Sequence, residues 1–257
     1  MNATPTRGAG FQGQVVVIAG AATGIGSSAA QLLSSLGAFV VALDVDRKKL
    51  EDSVAALKDR GGDALALHCD CTDQASVSTA IEQAVAARGH VDVLLNCVGI
   101  TGITGVPAHE VPVDDFDRVV AVNLRSAFLL SQSVLPGMLA RSYGRILHVS
   151  SIAGKEGNPG MVSYSASKAG LIGMVKSMAK DYATSGITIN ALAPAVILTP
   201  LVEAMPAAQV ALNTSKIPMG RLGTLDEVSD LIAWIVSPQA SFTTGFTFDL
   251  SGGRATY

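Results

Sequence analysis

Hydrophobic and polar positions follow each other along the chain as short apolar runs separated by longer amphipathic segments. Seven apolar runs of five residues each have the near-continuous hydrophobicity of strands that are buried on both faces. They cover residues 15–19, 39–43, 64–68, 91–95, 145–149, 188–192 and 246–250. Helical periodicity predicts the main helices between them, at 24–36, 46–60, 73–88, 113–140, 162–184 and 225–236.

This regular succession of strand, helix and strand predicts an α/β protein whose parallel sheet carries helices on both faces. No linker divides residues 13–257, so we expect a single domain. Residues 1–12 are polar and glycine-rich, lack the charged-then-apolar pattern of a signal peptide, and predict a flexible tail. The stretch 194–224 contains four prolines, breaks the regular pattern, and predicts a lid over a substrate.

Composition narrows the class of protein. Hydrophobic residues make up 49% of the 257 positions and charged residues only 15%, which suggests that part of the surface is buried between subunits. The net charge of −3 and the absence of a basic cluster argue against nucleic-acid binding. No apolar run reaches the roughly 18 residues of a membrane span. The three cysteines and four scattered histidines form no metal-ligand motif. The cysteines are therefore expected to be buried free thiols in a reducing cytoplasm.

A glycine-rich turn follows the first predicted strand and opens the first predicted helix. Gly20, Gly24 and Gly26 have the spacing G-x-x-x-G-x-G. Glycines at such a place let the backbone approach a pyrophosphate closely, while the start of the helix offers free N–H groups and partial positive charge. The spacing alone is a weak signal, but its position between a strand and a helix indicates a dinucleotide site.

Two carboxylates follow the next two predicted strands. Asp44 ends the second strand, where a carboxylate accepts hydrogen bonds from ribose hydroxyls and repels a 2′-phosphate, so NAD is expected rather than NADP. The basic residues one turn further on, 47–49, are expected to lie on a solvated helix face. Asp70 follows the third strand near the expected adenine end, and its alternative role is in the cap region of the helix that begins near Asp73.

Tyr164 and Lys168 are the most informative pair of side chains. They are four residues apart in a predicted helix and therefore share one of its faces. A neighbouring ammonium favours the phenolate and is expected to lower the pKa of the tyrosine. Ser151 lies thirteen residues upstream and supplies a hydroxyl that can hold a carbonyl oxygen against the phenol. Together these groups form a plausible proton-transfer device.

From about Gly13 to Gly253 the chain resembles the short-chain dehydrogenase/reductase family. The resemblance implies a single-domain Rossmann fold with a doubly wound, seven-stranded parallel sheet. It also implies a catalytic set and a set of cofactor contacts. The catalytic set is Asn123, Ser151, Tyr164 and Lys168. The cofactor contacts are Gly20, Thr23, Gly24, Ile25, Gly26, Asp44, Asp70, Cys71, Asn96, Gly99, Tyr164, Lys168, Pro194, Ile197 and Thr199.

The chain departs from the family pattern at several positions. Ala19 replaces the usual Thr before the first glycine, and Asn96-Cys-Val-Gly99 keeps only the ends of the usual Asn-Asn-Ala-Gly. Ala195 stands where the family has Gly, which can crowd the nicotinamide pocket slightly. Ser150 is a rival for the serine role, and the family spacing favours Ser151.

The resemblance implies a mechanism. Tyr164 as phenolate takes the proton of a substrate hydroxyl while hydride passes to NAD⁺, which converts a secondary alcohol into a ketone. Lys168 holds the phenolate and binds the nicotinamide ribose, Ser151 orients the substrate oxygen, and Asn123 anchors a water that links Lys168 to solvent. A base works best when its pKa lies near the working pH.

The substrate is less well specified. Lys155, Glu156 and Asn158 follow Ser151 in a polar loop and are candidates for binding a hydroxyl-rich or anionic substrate; the alternative is a solvated loop. Arg254 is expected to reach a neighbouring subunit's active site, because the chain end of tetrameric relatives lies at an interface. The resemblance implies a cytoplasmic homotetramer acting on a small polar hydroxy compound, such as a 2-keto-3-deoxy sugar acid.

Two other functions compete with this one. Reduction of a 3-oxoacyl thioester on an acyl-carrier protein is the alternative activity, and Asp44 and the negative net charge disfavour it. A cofactor-binding scaffold or sensor without catalysis is the non-enzyme alternative. Such members of the family typically lack the Tyr or the Lys, and both are present here.

Overall fold

The computed structural model describes residues 10–255 and 257. Within them, seven parallel strands form one sheet in the order β3-β2-β1-β4-β5-β6-β7. The strands are β1 (Val15–Ala19), β2 (Phe39–Asp44), β3 (Asp63–His68), β4 (Val93–Asn96), β5 (Gly144–Val149), β6 (Ile187–Pro194) and β7 (Thr247–Leu250). Each corresponds to one of the predicted strands, and the predicted fold class is confirmed.

Helices cover both faces of the sheet. The longer ones are α1 (Gly24–Ser35), α2 (Arg47–Asp59), α3 (Gln74–Arg88), α4 (Val113–Val120), α5 (Ser126–Arg141), α7 (Val162–Asp181), α9 (Ala207–Ser215) and α10 (Leu225–Ile235). The helices α6 (Ala153–Glu156) and α8 (Pro200–Glu203) are single turns, and two 3₁₀ turns lie at Ala108–Glu110 and Pro238–Ala240.

Two hydrophobic clusters form the core, one on each face of the sheet. Alternate residues of a strand point to opposite faces. Val16 and Ile18 of β1 therefore pack with α1, α2 and α10, whereas Val15 and Val17 pack with α3, α5 and α7. This division of the helices is the doubly wound arrangement that the alternation of elements predicts.

The sheet order places a crevice at the carboxyl end of β1. Successive strands run outward from β1 through β2 and β3 on one side and through β4 to β7 on the other. Ligands of doubly wound sheets bind at such a switch point, outside the carboxyl ends of the strands. The segments that follow β1, β2, β4, β5 and β6 all begin at this edge.

The predicted helix at 113–140 contains an irregularity. Residues Ala121–Arg125 form a π-helical segment between α4 and α5. A π-segment inserts one extra residue per turn and often occurs at a functional site. Here it contains Asn123, one of the predicted catalytic residues. Periodicity alone does not reveal such an insertion, because the apolar stripe continues through it.

The predicted boundary of the flexible tail needs correction. Residues 1–9 of that tail lie outside the described residues. Phe11, however, is buried in the core beside α1, and its N–H donates to the Leu36 carbonyl oxygen at 2.6 Å. An aromatic side chain here covers apolar surface that would otherwise face water, so the packed part of the chain includes Phe11.

The helical stretch Val113–Arg141 is long and apolar enough to cross a membrane by length and composition. Half of its most apolar window is buried inside the fold. Leu129, Leu130 and Met138 from this stretch belong to the core cluster that covers β1 and β4. We therefore describe it as a core helix of the domain.

Candidate active site

The glycine-rich turn has the geometry of a cradle for a dinucleotide. Gly20 and Gly24 have φ angles of +78° and +57°, which residues with a side chain rarely adopt. A Cβ on Gly26 would lie 2.0 Å from the Gly20 carbonyl oxygen, so only glycine allows this close approach. Thr23 precedes α1 without capping it through its side chain, and the first turn of α1 carries no acidic residue. The free N–H groups at this helix start therefore remain available to a phosphate.

Asp44 lies where the ribose of an adenosine would be expected. One carboxylate oxygen accepts from the Ala22 N–H at 3.0 Å and the other from the Asp46 N–H at 3.0 Å. A carboxylate offers about four acceptor positions, so two remain for hydroxyl groups. Lys48 and Lys49 form exposed ion pairs with Asp52 and Asp46, as expected for a solvated helix face.

The side chains after β3 form hydrogen bonds within the turn that leads to α3. Asp70 is exposed and accepts from the N–H and the hydroxyl of Thr72, and these bonds lower the pKa of its carboxyl. Asp73, rather than Asp70, is the residue that caps α3. Cys71 is buried, with its Sγ 4.0 Å from that of Cys69. Any contact of Cys71 with a cofactor would therefore be through its backbone.

Asn96 is buried and holds the loop after β4 in place. Its Oδ1 accepts from the Val98 N–H at 3.0 Å, and its Nδ2 donates to His148 Nδ1 at 3.2 Å. The ring proton of His148 is then on Nε2, which donates to Ser131 Oγ at 3.0 Å. Burial lowers the pKa of His148 to about 3, so this histidine is neutral. The structure thus gives the side chain of Asn96, predicted as a cofactor contact, a positioning role.

Asn123 holds the next part of the same loop. Its side chain accepts from the Ile100 N–H at 2.8 Å and donates to the Ile100 carbonyl oxygen at 2.9 Å. It also donates to Ser167 Oγ at 2.9 Å, and that hydroxyl donates to the Tyr164 carbonyl oxygen. The π-segment is therefore tied both to the loop after β4 and to α7. The water-anchoring role of Asn123 stays a prediction.

Lys168 is buried in the centre of the site, with 3% of its surface exposed. Its Nζ donates to the Val149 carbonyl oxygen at 2.8 Å and lies 5.8 Å from the centre of the Tyr164 ring. A Cβ on Gly99 would approach this Nζ to 3.1 Å, so glycine makes room for the ammonium group. Burial lowers the pKa of Lys168 to about 8.

Tyr164 and Ser151 lie beside this ammonium. Burial raises the pKa of Tyr164, and the Ser151 hydroxyl opposes that shift in part. The expectation that Lys168 lowers this pKa is not met in the protein chain alone, because desolvation of the phenol dominates. The rival Ser150 donates its hydroxyl to the Lys168 carbonyl oxygen at 2.9 Å, which leaves Ser151 as the serine available to a substrate.

One cavity of about 250 Å³ joins these groups. Its lining includes eight residues of the predicted site: Ile25, Gly99, Ser151, Tyr164, Lys168, Pro194, Ile197 and Thr199. Six further lining residues were not among the predicted contacts: Cys97, Ile100, Thr101, Val149, Ser150 and Ala195. Three of these follow strand β4 directly in sequence, so the rule that ligands meet the carboxyl ends of strands could have indicated them.

Four predicted substrate residues are not brought to this cavity. Lys155 pairs with Asp249, with its Nζ 2.7 and 2.9 Å from the two carboxylate oxygens. Arg254 donates to Glu156 and to Asn158, at 3.0 Å in both cases. These side chains satisfy one another within a single chain, and Arg254 binds its own subunit's loop. The predicted contacts of these four residues to a substrate or to a neighbouring active site stay predictions, and within the described chain the side chains contact one another.

Comparison with known proteins identifies the class to which this site belongs. Residues 20–255 match a family model described as enoyl-(acyl carrier protein) reductase. The chain is 41% identical over 247 residues to 2-dehydro-3-deoxy-L-rhamnonate dehydrogenase (NAD(+)) of Sphingomonas sp. strain SKA58, covering 96% of this chain and 97% of that protein. It is 37% identical over 243 residues to 3-oxoacyl-[acyl-carrier-protein] reductase of Thermotoga maritima, covering 95% and 98%.

A solved structure agrees with these sequence matches. The crystal structure of NAD⁺-bound xylitol dehydrogenase superimposes with a TM-score of 0.91 at 30% identity, over 95% of this chain and 99% of that one. The chain therefore belongs to the short-chain dehydrogenase/reductase family, as the motifs indicate, and is an oxidoreductase that acts on CH–OH donors.

Replacement of Tyr164 by Phe tests the assignment of the proton acceptor. We expect Tyr164→Phe to lower kcat by between about a hundredfold and about ten-thousandfold, the usual contribution of a general acid–base group. Cofactor affinity, measured by calorimetry, should stay within about twofold of wild type. Tyr182→Phe, at the far end of α7, is the matched control and should leave kcat unchanged. Substantial activity in Tyr164→Phe would refute the assignment.

Proposed function

We propose that the protein is an NAD(H)-dependent dehydrogenase that interconverts a secondary alcohol and a ketone on a small polar hydroxy compound. One observation carries this proposal: Ser151, Tyr164 and Lys168 line a single cavity whose wall also includes Ile25, the second residue of the helix that follows the glycine-rich turn. A hydroxyl bound there would meet a proton acceptor and a hydrogen-bonding serine at the carboxyl edge of the sheet.

The chain's own residues handle the proton. Ser151 binds the substrate oxygen and holds it towards the Tyr164 phenol, which accepts the hydroxyl proton when ionised. Lys168 keeps a positive charge near the phenolate, and its bond to Val149 holds that charge in position. Bound NAD⁺ supplies the hydride acceptor. The residues that would hold it are those of the glycine-rich turn, Asp44 and Thr199, of which Thr199 faces Gly24 across the site.

Asp44 supports NAD as the cofactor. Its negative charge would meet a 2′-phosphate directly, and the carboxylate has no basic partner among the hydrogen bonds and ion pairs of the described residues. The Sphingomonas relative is named as an NAD(+) enzyme, and the xylitol dehydrogenase structure holds NAD⁺. Both relatives agree with the preference for NAD over NADP that the Asp44 carboxylate indicates.

A polyol or sugar-acid substrate is supported by the same two relatives, whose named substrates are a deoxy sugar acid and a sugar alcohol. Ser151 and Thr101 supply hydroxyl groups to the cavity wall. The alternative activity, reduction of a 3-oxoacyl thioester, is favoured by the 37% identity to the Thermotoga reductase. Asp44 disfavours it if such a reduction depends on NADPH.

We also propose that the chain forms a cytoplasmic homotetramer. Apolar side chains are exposed on two separate surfaces. One consists of Val113, Phe116 and Phe128 on α4 and α5, the helices on either side of the π-helical segment, and the other of Trp234, Phe242 and Phe246 beside β7. Two different self-complementary surfaces generate a tetramer with two-fold symmetries. All three thiols are free, which suits a reducing compartment.

Sedimentation tests the assembly. We expect a mass about four times the 26.3 kDa of one chain, and a monomer at micromolar concentration would contradict the proposal.

Fractionation of cells tests the localisation. Cells that express the tagged protein should contain it in the cytoplasmic fraction, and recovery with membranes or outside the cell would contradict the proposal.

A substrate panel tests the function. Oxidation of polyols, sugar acids and a 3-hydroxyacyl thioester is measured with NAD⁺ and with NADP⁺. We expect a polyol or sugar acid with NAD⁺ to give the highest kcat/KM. Asp44→Asn keeps the shape of the side chain but removes its charge, and should lower the NAD⁺:NADP⁺ ratio of kcat/KM by at least about tenfold, equivalent to about 1.4 kcal/mol.

Asp46→Asn is the matched control for this substitution, because Asp46 is a partly exposed aspartate that caps α2. Its cofactor ratio should equal that of wild type. A wild-type preference for NADP⁺ would overturn the proposed role of Asp44. A thioester as the best substrate would favour the alternative activity.

A further inference from the structure

The segment that joins Ser151 to Tyr164 is held by the end of the chain. We call residues 152–163 the connector and residues 249–257, described except for 256, the C-terminal segment. Lys155, Glu156 and Asn158 of the connector contact Asp249 and Arg254 of the C-terminal segment through five hydrogen bonds or ion pairs. Tyr257 adds a hydrogen bond from its hydroxyl to the Lys155 carbonyl oxygen.

The two cations in these contacts are well shielded from solvent. The side chains of Lys155 and Arg254 are 8% and 10% exposed, the lowest values for any cation in an ion pair of the described residues. Their carboxylate partners are 25% and 27% exposed. A cation this shielded is less screened by water than an exposed one, and removing its partner leaves it uncompensated. The contacts therefore restrict the connector more than exposed ion pairs would.

The connector is attached on its other side to the catalytic helix. The Asn158 N–H donates to Ser165 Oγ at 3.1 Å, and a Cβ on Gly154 would lie 2.7 Å from the backbone carbon of Lys168. The Ser151 hydroxyl accepts from the Ala153 N–H at 3.1 Å. A displacement of the connector would therefore move Ser151 relative to α7, which carries Tyr164.

The C-terminal segment also contacts one further residue of the cavity wall and the predicted lid. The Leu250 carbonyl oxygen accepts from the Ala195 N–H at 2.9 Å, and the Gly252 carbonyl oxygen accepts from the Met219 N–H at 3.1 Å. A Cβ on Gly252 would lie 2.6 Å from Ile217, at the end of the predicted lid. One short segment thus joins the connector, the end of β6 and the lid.

We propose that Asp249 and Arg254 are positioning residues for the reaction: they hold the connector so that Ser151 and Tyr164 face the same substrate oxygen. This inference rests on the proposed function. Lys155 and Arg254, which the sequence suggested for substrate binding, then have a different role. They keep Ser151 and Tyr164 in fixed positions relative to each other. None of these contacts involves the cofactor cradle after β1 and β2.

Charge reversal of one pair tests the proposal. We expect Arg254→Glu and Glu156→Arg each to lower kcat by between about tenfold and about a hundredfold, as small misplacements of catalytic groups do. KM for NAD⁺ should stay within about twofold of wild type, and hydrogen exchange at residues 152–163 should increase. The double variant Glu156→Arg/Arg254→Glu should recover most of the lost kcat, because it restores the ion pair in reverse.

The matched control is another arginine–carboxylate pair far from the site. Arg88 pairs with Asp63 at the opposite edge of the sheet, where both side chains are largely exposed. Arg88→Glu should leave kcat and connector exchange unchanged. Unchanged exchange in Arg254→Glu would overturn the proposal, and raised exchange with unchanged kcat would overturn its catalytic part. If wild type oxidised nothing in the panel, the proposed function would fail, while hydrogen exchange would still decide whether the pair holds the connector.

Discussion

A buried ammonium group is the constraint on which the rest of the site depends. Lys168 lies almost completely out of solvent, and such a charge is tolerated only when hydrogen bonds compensate it. The Val149 carbonyl oxygen provides one such bond, and Gly99 leaves the space. The end of β5, the loop after β4 and helix α7 must therefore keep fixed positions relative to one another. The side chains of Asn96 and Asn123 secure that loop by accepting hydrogen bonds from its backbone N–H groups.

The same burial controls the protonation of the site. It lowers the pKa of Lys168 to about 8 and raises that of Tyr164, so both groups are shifted towards their neutral forms. Oxidation of an alcohol requires the opposite combination, a phenolate next to an ammonium. Because the ammonium has the lower pKa and the phenol the higher one, the phenolate–ammonium pair is a minor species. Its population is largest at pH values between the two pKa values. The reaction should therefore proceed faster as the pH rises towards the pKa of Lys168.

Local patterns along the chain predicted the features that depend on local physics. Continuous apolar runs identified the strands, because a strand that is buried on both faces carries apolar side chains on both faces. The glycines of the first turn were found because a close backbone approach excludes a side chain. The i, i+4 spacing of Tyr164 and Lys168 sufficed to place both on one helix face.

Features that depend on distant contacts were missed. Lys155 and Asp249 are 94 residues apart, and no local pattern shows that the chain end returns to the loop after Ser151. The polar composition of that loop looked suited to a substrate, whereas folding satisfies its charges internally. Phe11 looked like part of a polar tail, because one aromatic residue gives no periodicity. The sign of the pKa shift at Tyr164 also depended on burial, which spacing does not reveal.

The pH dependence of alcohol oxidation tests most directly whether Tyr164 and Lys168 form the proton-transfer pair. The quantity to measure is kcat/KM for the best alcohol at saturating NAD⁺. The account predicts that it rises with pH, by up to about tenfold per unit, and levels off near the Lys168 pKa of about 8. A profile that is flat or falling from about pH 6 to about pH 8 would contradict it.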